Sequence, residues 1–254
     1  MSDKRALALF AHPDDAEFTC AGTLALLHRK GWEIHIATMT PGDCGTAEHR
    51  REDISRIRKN EATASARLLN GEYHCLEFGD IYILYDRDSI TKTVELVRHI
   101  RPTIVFTHSL SDYMIDHEVT SQLSQTACFA AGIKNIETPR VDPFEPTPHL
   151  YYTDAMEGKD KFGCPITPGL WVDISSVIET KEKMLACHAS QRNWLLTHHG
   201  MDEYILSMKR FAEQRGRDID VKYAEGFRQH LGHGYPQDNA LKNELFDYAK
   251  YSQA

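Results

Sequence analysis

Short apolar, β-rich runs alternate with helical patterns along the first half of the chain, and glycines punctuate the helix ends. That alternation predicts an α/β fold: a Rossmann-like, mostly parallel sheet with helices on both faces. At 254 residues, with 41% hydrophobic and 26% charged side chains, the chain has enough apolar content for one sizeable core. A single domain over 1–254 is expected, with a βαβ core over 1–135 and with loops, further strands and C-terminal helices over 136–254.

The run Ala6-Leu7-Ala8-Leu9-Phe10 gives a first strand at 5–11, followed by a helix over 20–30 that stops at Gly31. A strand at 32–38 precedes a long helix ending near Leu69, again closed by a glycine, Gly71. Next come a strand at 73–78, a helix at 88–100, a strand at 103–107 introduced by Pro102, and a helix at 117–131. The stretches 136–148 and 157–169 read as loops from their Pro, Gly and acidic content. Leu170 to Ile174 reads as a strand, a helix starts near Ser175, and the remainder reads as mostly helical with a Gly/His break at 229–236.

Charge and composition exclude several functions. A net charge of -8 offers no basic field for a nucleic-acid backbone. The N-terminal apolar run is too short for a signal segment, and no later run approaches the ~20 residues that span a bilayer. A cytoplasmic protein without a membrane span is expected. The six cysteines (Cys20, Cys44, Cys75, Cys128, Cys164 and Cys187) contain no Cys-x-x-Cys pair and read as reduced thiols.

The residues that carry chemistry follow the first strand. Ala11-His12-Pro13-Asp14-Asp15-Ala16-Glu17 sets an imidazole and three carboxylates at the carboxyl end of a parallel strand, where such sheets bind ligands. His12 and Asp15 suit a divalent metal, with Asp14 free beside them. The plainer reading is that Asp14 or Asp15 caps the next helix. A third ligand is available past the strand at 103–107, where His117 follows Asp112 and Asp116, carboxylates able to orient it; His108 is the rival.

These residues resemble the PIG-L/LmbE-like zinc-dependent deacetylases, which remove acetyl groups from N-acetylglucosamine-containing substrates. The family's Ala-His-Pro-Asp-Asp signature is matched by Ala11 to Asp15, its Gly-containing second loop by Thr40-Pro41-Gly42-Asp43-Cys44-Gly45, and its Arg-x-x-Glu-Ala helix by Arg58-Lys59-Asn60-Glu61-Ala62. Further similar segments are Asp173-Ile174-Ser175, Lys183, His188-Ala189-Ser190-Gln191 and Tyr223-Ala224-Glu225-Gly226-Phe227. The resemblance implies that His12, Asp15 and His117 bind zinc, that Asp14 is the general base and Asp116 a second catalytic carboxylate, and that Arg58 and Asp112 contact substrate. Ligand type alone also admits Fe²⁺. The implied substrate is a small amino sugar or its glycoside, and the implied assembly a homo-oligomer.

One departure stands out. Where the family usually has His-Pro-Asp-His, this chain has Met114-Ile115-Asp116-His117, so an imidazole held to stabilise the tetrahedral intermediate is replaced by a side chain that cannot donate a hydrogen bond. Substitutes in the sequence are His108, His198, His199, and His230 and His233 in a loop suited to a lid. A non-catalytic metal- or sugar-binding relative, a hydrolase of another amide and a nucleotide-binding protein are the competing readings. The last lacks the Gly-rich turn it needs after the first strand.

Overall fold

The computed structural model describes residues 4–139, 141–192 and 203–251. Its backbone is one eight-stranded sheet flanked by helices. Strand β1 (Arg5–Phe10) is followed by helices α1 (Asp15–Thr19) and α2 (Ala21–Arg29), and β2 (Glu33–Thr38) by α3 (Arg51–Arg67). Then come β3 (Glu72–Cys75), α4 (Arg87–Ile100), β4 (Ile104–Thr107) and α5 (Ile115–Ala130). The rest comprises β5 (His149–Thr153), β6 (Leu170–Asp173), α6 (Ile178–Ala186), α7 (Glu203–Asp218), β7 (Ala224–Gln229), α8 (Ala240–Glu244) and β8 (Ala249–Tyr251).

The strand order is β3-β2-β1-β4-β5-β7-β6-β8. Strands β1 to β5 run parallel, while β7, β6 and β8 join antiparallel to their neighbours. The expected mostly parallel α/β sheet is therefore the one observed. Residues of β1 alternate between two cores: Ala6, Ala8 and Phe10 pack on the face covered by α2, and Leu7 and Leu9 on the face covered by α4 and α5. Burial on both faces explains why β1 is an unbroken apolar run and not an alternating one.

The first half matches the sequence expectation to within a few residues, and two differences bear on the site. The helix expected from residue 20 already begins at Asp15 and breaks at Cys20. The region expected to be mostly helical supplies β7 and β8, with β7 in the interior of the sheet. Its sequence, Ala224-Glu225-Gly226-Phe227-Arg228-Gln229, lacks β-branched residues, so its extended state comes from pairing with β5 and β6. β5, aromatic and apolar in its inner residues, was likewise not among the expected strands. No described helix is long and apolar enough to cross a membrane.

Candidate active site

The loop after β1 lies at the carboxyl end of the parallel strands, between β2 and β4. Asp14 stands at the N-cap position of α1 but makes no side-chain capping bond, and its φ is 104°, a left-handed value costly for a non-glycine residue. Its carboxylate instead accepts from the hydroxyl of Tyr204 on α7 and lies 3.5 Å from Arg58 Nη2. The capping role is thus absent, and the strained backbone aims Asp14 across the site. Asp15 accepts from the His12 amide at 2.8 Å, which folds the loop so that His12 Nδ1 comes within 3.4 Å of its carboxylate.

His117, on the first turn of α5, brings Nε2 to 3.6 Å from Asp15 Oδ1. One ligand atom each from His12, Asp15 and His117 lies within 4.8 Å of the other two. The outer nitrogens of both imidazoles are held by carboxylates: His12 Nε2 is 3.0 Å from Asp80 and 3.4 Å from Asp116, and His117 Nδ1 is 3.1 Å from Asp112. Such bonds fix the tautomer that turns a lone pair inward. His117 Nε2 is buried and has no hydrogen-bond partner among the described residues. An orphaned buried nitrogen facing a carboxylate and a second imidazole fits a divalent cation, and two nitrogens with one oxygen suit a borderline ion.

Charge in the cluster follows from these contacts. Burial works against ionised Asp15, but His117 and His108 outweigh it and hold the carboxyl well below its ordinary range. Burial likewise opposes charge on His12 and His117, and their carboxylate neighbours outweigh it, pushing both imidazoles up. Asp14 moves the other way: burial raises it, and Arg58 only partly offsets that. A carboxyl raised by burial beside one held ionised is the pattern of a proton carrier next to a ligand.

Arg58 is 4% exposed and lies behind Asp14, with Nη2 on the Pro13 carbonyl (2.7 Å) and Nη1 on that of Gly42 (3.2 Å). A Cβ on Gly42 or Gly45 would strike its guanidinium, which explains why the second loop carries glycine there. Asp112 is as buried as Arg58 and is spent on His117 and the Tyr113 amide. Asp116 accepts from Ile81 N at 2.7 Å behind His12. The structure thus brings all seven residues singled out by sequence together. It places Arg58, Asp112 and Asp116 behind the cluster, away from the open side expected for a substrate contact.

That side is a cavity of about 790 Å³ lined by Asp14, Asp15, Phe18, Tyr113, Tyr204 and Arg210 among others. Met114 sits at the N-cap of α5, and its neighbour Tyr113 lines the cavity with its ring edge-on to His117, centroids 5.4 Å apart. Burial, then Asp15, Asp112 and Asp14, raise the Tyr113 phenol and keep it protonated.

The other candidates fare differently. His108 stacks flat on His117 at 3.8 Å, and its Nε2 accepts from the Ala11 amide, so the lone pair a metal would need is engaged. His230 bonds to Tyr152 and pairs through its amide with Leu150, near the start of β5 and away from the strand ends that bear the site. His233, three residues on, is exposed in the same loop. The lid expectation therefore has no support from placement. His198 and His199 lie outside the described residues. Sequence reading missed Asp80, Tyr113 and Tyr204. Asp80 had a usable signal, its position just past the carboxyl end of β3; Tyr204 had none, since it reaches Asp14 from 190 residues away. Glu17, without a role in the sequence, is buried against His188 at 3.3 Å.

Fold and site together define a doubly wound α/β protein with a candidate metal centre at the carboxyl edge of its sheet. Residues 7–128 match the family model "PIG-L: GlcNAc-PI de-N-acetylase". An uncharacterized deacetylase of Escherichia coli, YaiS, is 34% identical over 138 residues, covering 49% of this chain and 68% of that protein. The chain belongs to the PIG-L family of deacetylases. A 4-oxalmesaconate hydratase of Pseudomonas putida is 26% identical over 242 residues, 89% of this chain and 88% of the relative. The solved N,N'-diacetylchitobiose deacetylase of Pyrococcus horikoshii superposes with a TM-score of 0.76 at 24% identity, covering 93% of this chain and 88% of that one, and shares the fold.

Proposed function

We propose that this protein hydrolyses the acetamide of an N-acetylated amino sugar or its glycoside, using a divalent metal, zinc in the first instance, held by His12, Asp15 and His117. The observation that carries this reading is the convergence of those three side chains next to a cavity that Asp15 and Asp14 line, with Asp14 held by Tyr204 and Arg58. A bound zinc ion would polarise the amide carbonyl and lower the pKa of water in the site. Asp14 takes the proton from the attacking water and returns it to the departing amine, one carboxyl serving as base and then acid. Arg58 and Tyr204 keep it oriented and favour its ionised form. Asp80 and Asp116 fix His12, and Asp112 fixes His117, while the Tyr113 hydroxyl takes over the donor position that Met114 cannot fill.

The test is acetate release from free N-acetylglucosamine, N,N'-diacetylchitobiose and lipid-linked N-acetylglucosamine by zinc-loaded protein. The reading requires turnover of at least one of them; no release from the whole panel overturns it. Met114, together with the hydratase relative, favours one second reading: activated water added across a carbon–carbon double bond of an unsaturated carboxylate, oxygen to one carbon and proton to the other. Loss of 4-oxalmesaconate absorbance without acetate release selects it.

A further inference from the structure

We propose that His35, Glu72 and His74 form a second divalent-metal site, on the other side of β2 from the catalytic loop, that clips the edge strand β3 to its neighbour. The parallel register sets Glu72 beside His35 and His74 beside Ala37, and the two-residue period of a strand points all three side chains to one face. His35 Nδ1 lies 3.1 Å from His74 Nε2, and that nitrogen lies 3.9 Å from Glu72 Oε2. One ligand atom from each residue lies within 4.8 Å of the other two. None of the three is shared with the His12 cluster.

A further contact orients His35. It is 5% exposed, and its Nε2 faces Glu33 Oε1 at 3.2 Å. A proton on Nε2 faces the Glu33 carboxylate and leaves the Nδ1 lone pair turned to His74 Nε2. That is the carboxylate–imidazole arrangement which orients metal-bound histidines. The two rings stack with centroids 5.3 Å apart.

Two imidazoles and one exposed carboxylate select a borderline ion, Zn²⁺ or Cu²⁺, over the oxygen-seeking Mg²⁺ and Ca²⁺, with water completing the shell. Strand β3 is four residues long at the open edge of the sheet, and a bound ion would fasten it to β2. The test measures bound zinc and thermal midpoint on the full chain for His117→Ala, which disables the His12 cluster, and for His117→Ala with His74→Gln. The single variant should retain one zinc equivalent and rise in midpoint with zinc; the double should lose both responses. Glu72→Gln, at an exposed position that leaves packing intact, should weaken zinc binding in the His117→Ala background. Equal zinc content and equal midpoints in the single and double variants overturn the site.

Discussion

At the residue scale the proposed mechanism turns on Asp14, whose left-handed backbone and absent capping bond show that its carboxylate is not spent on capping the helix. Asp14→Asn should cost on the order of 100- to 10,000-fold in turnover while bound metal stays unchanged; acetate assays paired with metal analysis check it, and full activity in the variant removes Asp14 from the mechanism. The sign of the pH dependence follows from the raised Asp14 carboxyl. The base form exists above that pKa, so activity falls as pH drops through it, at a pH above the ordinary ~3.9. The Tyr204 hydroxyl favours the ionised form, so Tyr204→Phe should move the acid limb of the rate profile higher still. An unmoved limb would show that Tyr204 does not act on Asp14.

At the element scale, the family segments near the C-terminus act by tying helices to the sheet. Glu225 on β7 accepts from Gly22 N (2.9 Å), Thr23 N (2.7 Å) and Thr23 Oγ1 (2.6 Å), capping α2 from another strand, and pairs with the buried Lys181 Nζ at 2.5 Å. Glu225→Ala strands a buried ammonium and two amides, so it should cost about 3–5 kcal/mol in denaturant unfolding. Ser190 binds Glu61 on α3, and Gln191 donates to the Gly45 carbonyl, locking α3 and the second loop behind Asp14. Glu17 and His188 form a further buried pair. Burial opposes both charges and each partner outweighs it, lowering Glu17 and raising His188. The Glu17 contribution is present above its unfolded value of ~4.3 and is lost as pH falls through the folded one. That of His188 is present below ~6.5 and is lost as pH rises through its raised value. Compared with Glu17→Gln/His188→Gln, the wild-type chain should gain most stability between about pH 4.3 and 6.5; parallel unfolding midpoints across pH would contradict the pairing.

At the scale of the whole molecule, the sheet gathers loops after β1, β2, β3 and β4 at one edge, so His12, Asp43, Asp80 and His117 meet although 105 positions separate the first from the last. A cation bound only by the folded cluster stabilises the fold by mass action. Chelation should therefore lower the thermal midpoint and abolish acetate release together, with zinc restoring both; a midpoint indifferent to chelator and zinc would argue against a metal centre. The parallel half was legible because each strand, helix and terminal glycine there carries its own local pattern. β7 was not, because Glu225 and Gly226 favour a strand only between two others. The Gly226 position is set by Asp154 and Pro168, which leave no room for a Cβ.

The sequence by itself determined the α/β alternation and the place of His12, Asp14 and Asp15 just past the first strand, since strand periodicity and the residues at a strand's carboxyl end are local properties; His117 was singled out over His108 by the family resemblance. It also exposed the lost imidazole at Met114. Only the tertiary structure decided that Asp14 is no cap, that Arg58, Asp112 and Asp116 stand behind the cluster, that Asp80, Tyr113 and Tyr204 join it, and that the His230 loop lies elsewhere. Those outcomes depend on distances between segments tens to hundreds of residues apart, which are fixed by how helices and strands pack and not by any local pattern.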